Sequence, residues 1–122
     1  MAEADALNGP RVLVVEDEAP IALDLRSILA GLGCVVLGPA PSVPEALHLL
    51  ATDPPDAVTL DLDLRGAYAT PIAKACAARG IRFVVISAYG VLPEPVFDGA
   101  PVVTKPYAPD RIRRALLGLA GP

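Results

Sequence analysis

Four short stretches of this 122-residue chain carry side chains that could act together on a charged ligand. Glu16, Asp17 and Glu18 are consecutive, Asp61 and Asp63 flank Leu62, and Ser87 and Lys105 stand further along. Oxygen-only donors favour a hard divalent ion, and a small open cluster with room for water suits Mg2+. One histidine, His48, and two cysteines without a close pair, Cys34 and Cys76, offer no zinc alternative. Two unit charges about 4 Å apart cost roughly 4 kcal/mol at an effective dielectric near 20. Gathered carboxylates therefore need protonation, water or a cation. Glu16, Asp17 and Asp61 sum to −3, and Mg2+ with Lys105 to +3, a balance that would admit a phosphoryl group. Taken singly, each acid is ordinary decoration of a solvated loop, so the argument rests on their joint placement with Ser87 and Lys105.

That placement depends on the elements between them. Arg11–Val15 is a short β-branched run, apolar on both faces, which predicts a strand buried in a parallel sheet. Ile21, Leu25, Ile28, Leu29 and Leu32 recur at helical spacing over Pro20–Leu32, and Gly31 and Gly33 close that segment. Cys34–Leu37 reads as a second strand ending at the breaker pair Gly38-Pro39. Ser42 with Glu45 three residues later forms a capping box for a helix to Thr52, stopped by Pro54-Pro55. Ala57–Leu60 is a third strand ending at Asp61, followed by a helix from about Tyr68 to Arg79. Arg82–Ile86 is a fourth strand and Pro101–Val103 a short fifth, and Asp110 caps a last helix. Pro93, Pro95 and Gly99 leave Gly90–Ala100 room for a turn or two.

This alternation predicts an α/β fold, a doubly wound parallel sheet with helices on both faces and right-handed crossovers. Ligands of such sheets bind outside the carboxyl ends of the strands, and the candidate residues all lie within three positions after a predicted strand. Residues 1–10 are expected to be a flexible tail and 11–120 one domain.

Composition excludes other classes. Hydrophobic residues make up 53% and charged residues 20%, unlike a disordered chain. A formal charge of −4 argues against a general nucleic-acid or anionic-membrane binder. No apolar run approaches the roughly 18 residues a membrane span needs. The first eight residues carry Glu3 and Asp5 and no basic region, unlike a secretory signal. Cys34 and Cys76 read as buried reduced thiols of a cytoplasmic protein. His48 stands among apolar neighbours and is given no role. Arg111, Arg113 and Arg114 read as a solvated face that could meet a partner, and Tyr68 and Tyr107 as rim packing. Neither phosphate-binding glycine motif, GxxxxGK nor GxGxxG, is present.

VLVVED at Val12–Asp17, AVTLDLDLRG at Ala57–Gly66, VISAY at Val85–Tyr89 and VTKPY at Val103–Tyr107 together resemble the marker stretches of response-regulator receiver domains of two-component signalling. The resemblance spans roughly Arg11–Ala120. It implies a flavodoxin-like sheet of order 2-1-3-4-5, and a phosphoacceptor rather than an enzyme with a separate substrate. Asp61 matches the phosphoacceptor, Glu16 and Asp17 the acidic pair that holds Mg2+, and Asp63 the position whose backbone carbonyl also meets the metal. Ser87 matches the hydroxyl that bonds phosphoryl oxygens and Lys105 the family's lysine, with a cis bond expected before Pro106. The implied partner is a histidine kinase or a histidine phosphotransfer protein. Implied too is a signal or relay through protein contact, with no nucleic acid or membrane involved.

Three positions depart from the pattern. Val102 stands where the family has an aromatic switch residue, Arg65 where it commonly has proline, and a full fourth helix is absent. These features resemble the stand-alone alphaproteobacterial receivers with a Phe-Ala-Thr-Gly-Tyr-like fourth strand, here Phe83–Gly90. Asp63 and Tyr89 are expected to flank the reacting oxygen and tune water access, and the rearrangement on phosphorylation to fall in Gly90–Gly99. The chain ends soon after the last helix with no output domain in it, which leaves two expectations open: a stand-alone receiver that works through protein contact, or a piece of a longer protein. Three rivals stay open. A Toprim-like Mg2+-dependent nucleic-acid enzyme would use Glu16 and the Asp61-Leu62-Asp63 triplet, but gives no role to Ser87 or Lys105. A haloacid-dehalogenase-type phosphatase would need its DxD in the first strand and a cap. A receiver-shaped interaction module that is never phosphorylated is the third.

Overall fold

The computed structural model describes residues 9–64, 66–88 and 94–120, with side chains as far as Leu117. In chain order the elements are β1 (Arg11–Val15), α1 (Ala19–Gly31), β2 (Val35–Ala40), α2 (Val43–Thr52) and β3 (Ala57–Asp61). Next come β4 (Asp63–Leu64), β5 (Ala67–Tyr68), α3 (Thr70–Arg79), β6 (Arg82–Ser87), a 3-10 turn (Pro95–Phe97), β7 (Val102–Thr104) and α4 (Pro109–Ala120). Five strands form one parallel sheet in the order β2-β1-β3-β6-β7, the expected 2-1-3-4-5 arrangement.

Alternation along the strands splits the apolar residues between two faces. Leu13, Val15, Val58, Leu60 and Val85 pack against Ala46 and Leu50 of α2 and Ile72, Ala73 and Cys76 of α3. Val12, Val14, Val84, Ile86 and Val103 pack against Ala22, Leu25 and Leu29 of α1 and Ile112 of α4. Because β3 is central and buried throughout, its last residue, Asp61, is delivered to the sheet's carboxyl edge with little freedom.

Three local features position that edge. Ser42 caps α2 as expected, its Oγ accepting the Glu45 N–H at 3.4 Å. The second strand does not stop at Gly38-Pro39 but runs through it to Ala40, and both Gly38-Pro39 and Lys105-Pro106 are cis. The pairing shifts there: Leu13 lies opposite Leu37 but Val15 opposite Ala40, so β2 carries an extra residue. Bulges of this kind re-aim the strand beside a site. Gly38 has φ +85°, and a Cβ on it would stand 2.9 Å from Ala40 N and 3.0 Å from the Val14 carbonyl oxygen. A glycine-dependent bulge continues the strand where the dipeptide alone reads as a stop.

The second feature is a small antiparallel hairpin, β4–β5, in which Asp63 pairs with Tyr68 and Leu64 with Ala67. Sequence patterning gave no sign of it, because two-residue strands are too short to show alternation. It delays α3 to Thr70. The third is the crossover before β7, which contains one described turn instead of a helix. Phe97 of that turn is fully buried and meets Phe83 edge-on, with ring centroids 6.2 Å apart at 87°. Among the described residues no helix is long and apolar enough to cross a membrane. Residues 1–8, Arg65 and residues 89–93, which include the expected water-tuning Tyr89, lie outside the described residues.

Candidate functional site

The carboxyl edge of the sheet gathers the residues singled out from sequence. Glu16 follows β1 and is 2% exposed, and its N–H donates to the Ala40 carbonyl at 3.0 Å, so the bulge of β2 fixes its backbone. Its Oε2 accepts the Glu18 N–H at 3.2 Å. Asp61 closes β3, is 7% exposed, and its Oδ1 accepts the Asp63 N–H at 3.3 Å. Asp17 is half-buried beside them. One carboxylate oxygen each from Glu16, Asp17 and Asp61 lies within 4.8 Å of the others.

Lys105 reaches into this cluster from the end of β7. Its Nζ lies 3.4 Å from Glu16 Oε1 and 3.4 Å from Asp61 Oδ2. The contact with Asp61 is a hydrogen bond. Glu16 Oε1 has the ammonium as a charge partner but accepts no hydrogen bond among the described residues. Burial works against the Lys105 charge, yet the Asp61 and Glu16 carboxylates outweigh it and raise its pKa. Burial, reinforced by the neighbouring Asp61 carboxylate, pushes the Glu16 carboxyl up to about 7. One lysine therefore leaves the acids short of positive charge.

This donor set fits a hard divalent cation such as Mg2+: three carboxylates with oxygens within 4.8 Å of one another, one buried oxygen that accepts no hydrogen bond, and no histidine or cysteine in the cluster among the described residues. Ser87 is buried at the end of β6, and its carbonyl accepts the Lys105 N–H at 2.8 Å. Ser87 and Lys105 thus stand side by side at the sheet edge that carries the acids. Asp63 sits differently from the other acids. It is exposed, and its Oδ1 accepts the Gly66 N–H at 3.0 Å inside the hairpin, outside the carboxylate cluster.

Other sequence candidates find plain surroundings. Arg113 and Arg114 pair with Asp110 at 3.5 and 2.9 Å on the exposed face of α4. Tyr68 is exposed on the hairpin, and His48 is exposed on α2. Both cysteines are free; Cys76 is buried, which pushes its thiol up to about 11 and leaves it little nucleophilic character. Tyr107 belongs nearer the site than rim packing suggests. It is half-buried against the α1–α4 face, and burial, then Asp24 and Glu16, push its phenol up to about 12. Its place directly after Lys105-Pro106 was the one signal available in sequence.

No family model matches the chain. SdrG from Sphingomonas melonis Fr1, a solution structure, is 35% identical and superposes with a TM-score of 0.81, covering 93% of this chain and 98% of that one. The REC domain of the Erythrobacter litoralis PhyR response regulator is 26% identical with a TM-score of 0.77, covering 93% and 95%. The transcriptional regulatory protein PdtaR of Mycobacterium tuberculosis is 33% identical over 84 residues, which are 69% of this chain and 41% of PdtaR. The chain thus spans about two fifths of the length of that curated relative.

Proposed function

This chain belongs to the receiver-domain family of response regulators, and on that premise we propose that Asp61 accepts a phosphoryl group from a phosphohistidine of a kinase or phosphotransfer protein. The observation that carries the proposal is the Asp61 carboxylate, fixed at the end of the central strand, with Lys105 Nζ 3.4 Å from Oδ2 and the Glu16 and Asp17 oxygens beside it. Asp61 attacks phosphorus through a carboxylate oxygen, the P–N bond to the donor imidazole breaks, and an acyl phosphate forms. A carboxylate is a modest nucleophile, so positioning and charge neutralisation do most of the work. Glu16, Asp17 and Asp61 would hold Mg2+, which supplies positive charge to the phosphoryl oxygens when bound.

The chain's own groups divide the remaining tasks. The Asp63 N–H holds Asp61 Oδ1 in place and leaves Oδ2 on the side of Lys105. The Lys105 ammonium takes one phosphoryl oxygen as charge spreads in the transition state, and the Ser87 hydroxyl takes another. Ser87 ends β6 and Lys105 directly follows β7, and the Lys105 N–H bond to the Ser87 carbonyl ties their backbones together. The acyl phosphate then either returns to a histidine, hydrolyses, or is read by a protein partner.

Incubation of the protein with acetyl phosphate and Mg2+ tests this reading. A 1:1 acid-stable, base-labile label is expected on the wild type, absent from Asp61→Asn and absent with excess chelator. Intact-mass measurement without any 80 Da increment in the wild type would sink it. Nuclease activity would select the Toprim-like reading, and steady release of phosphate from simple monoesters the phosphatase one.

A further inference from the structure

We infer that Thr59 is a positioning residue for the acidic site, acting on Glu16 through a buried water; the inference rests on the receiver reading only for what the site finally binds. Thr59 is 1% exposed, in the middle of β3, and its Oγ1 has no hydrogen-bond partner among the described residues. Its registered neighbours are Val14 on β1 and Val84 on β6, both part of the apolar cluster beneath α1 and α4. Valine would fill this volume without a polar atom, and an unsatisfied buried hydroxyl is costly. Native interiors satisfy such groups, often with an ordered water making several hydrogen bonds.

A second buried oxygen that accepts no hydrogen bond among the described residues belongs to the adjoining chain segment, with the Lys105 ammonium as a charge partner at 3.4 Å. Glu16 Oε1 is the other buried side-chain atom left without a hydrogen bond among the described residues. Alternation puts both side chains on the same face. Val14 lies opposite Thr59, and Glu16 is two residues beyond Val14 on the adjoining chain segment. A two-residue step along a strand is about 6.6 Å and the interstrand spacing about 4.8 Å. The backbones of Thr59 and Glu16 are thus diagonal neighbours, a span that a threonine, one water and a glutamate side chain can bridge. The water would accept from or donate to Thr59 Oγ1 and donate to Glu16 Oε1. Supporting partners of this kind orient metal-binding carboxylates and tune their affinity.

Thr59→Val and Thr59→Ser separate this role from packing. Mg2+ affinity is measured by titration calorimetry of the free protein. Buried water is read by water–amide cross-relaxation at the backbone amides around Leu60 and Asp61. Thr59→Val is expected to fold, to weaken Mg2+ binding about three- to tenfold and to lose the water signal, while Thr59→Ser keeps both. Equal Mg2+ affinity in Thr59→Val and wild type overturns the inference. So does equal weakening in both variants, which would assign the effect to packing, or a wild type that binds no Mg2+. Failure of acetyl phosphate to label the wild type counts against the receiver reading alone, since the affinity comparison needs no phosphodonor.

Discussion

The Lys105 N–H donates to the Ser87 carbonyl at 2.8 Å, so the two residues assigned to phosphoryl oxygens are joined directly at the end of the β6–β7 ladder, where Ser87 pairs with Thr104. Drawing the Ser87 hydroxyl toward new negative charge therefore moves the backbone of Lys105 as well. With Val102 in place of a large aromatic, the movement has no bulky ring to swing and must travel through this ladder. Lys105→Met should lower the rate of acyl-phosphate formation by about 100- to 1000-fold, as expected for removing a preorganised charge from a transition state. Mass spectrometry of a time course with acetyl phosphate measures it, and folding is checked by circular dichroism.

The acidic cluster makes metal binding and pH interdependent. The Glu16 carboxyl, raised to about 7 by burial and then by Asp61, keeps a proton in the folded, metal-free protein where the unfolded chain, with its value near 4.5, has lost it. The folded state binds more protons across that window. Its stability contribution is therefore present below pH 4.5 and lost as pH rises through 7. Mg2+ displaces the proton, so its apparent affinity should climb by up to about tenfold per pH unit below 7 and level off above. Chemical denaturation with and without Mg2+ at pH 5.5 and pH 8 checks the sign: the stabilisation by Mg2+ must be larger at pH 8.

Gly38 supports Glu16 from the neighbouring strand. An alanine there would meet Ala40 N at 2.9 Å and carry a φ of +85°. Gly38→Ala should cost about 2–3 kcal/mol in urea denaturation. Because Ala40 accepts the Glu16 N–H, it should also weaken Mg2+ binding, although Gly38 belongs to no ligand set.

Phe97, with Val96 and Ala100 beside it, packs on the α2–α3 face of the sheet from a 3-10 turn. Phe97→Ala should cost about 3–5 kcal/mol, the range for deleting a buried aromatic ring. Amide exchange should then accelerate first in β7 and the end of β6, while β1 and β3 stay protected.

Five of the seven described strands were legible as short, mostly apolar runs such as Arg11–Val15, Ala57–Leu60 and Arg82–Ile86, separated by helical periodicity, whereas the order of the sheet came from the family resemblance. The gathering of Glu16, Asp17, Asp61, Ser87 and Lys105 at one edge follows from each ending or directly following a strand. What stayed hidden depends on contacts distant in sequence or on elements too short to show a period. The Gly38 bulge is settled by Val14 and Ala40, not by the Gly-Pro pair itself. The hairpin has two residues per strand. Thr59 reads as an ordinary β-former, and only its burial between Val14 and Val84 exposes the hydroxyl as an anomaly.

The hairpin also bears on how this chain can change over generations. Surface connections usually absorb insertions and deletions. Here Leu62 alone separates Asp61 from β4, Leu64 is buried, and Asp63 answers to both Asp61 and Gly66. Adding or removing one residue between Asp61 and Gly66 would turn Leu64 out to solvent and an acid inward. Homologous chains should thus hold the length of this stretch constant and keep an apolar residue at the position of Leu64.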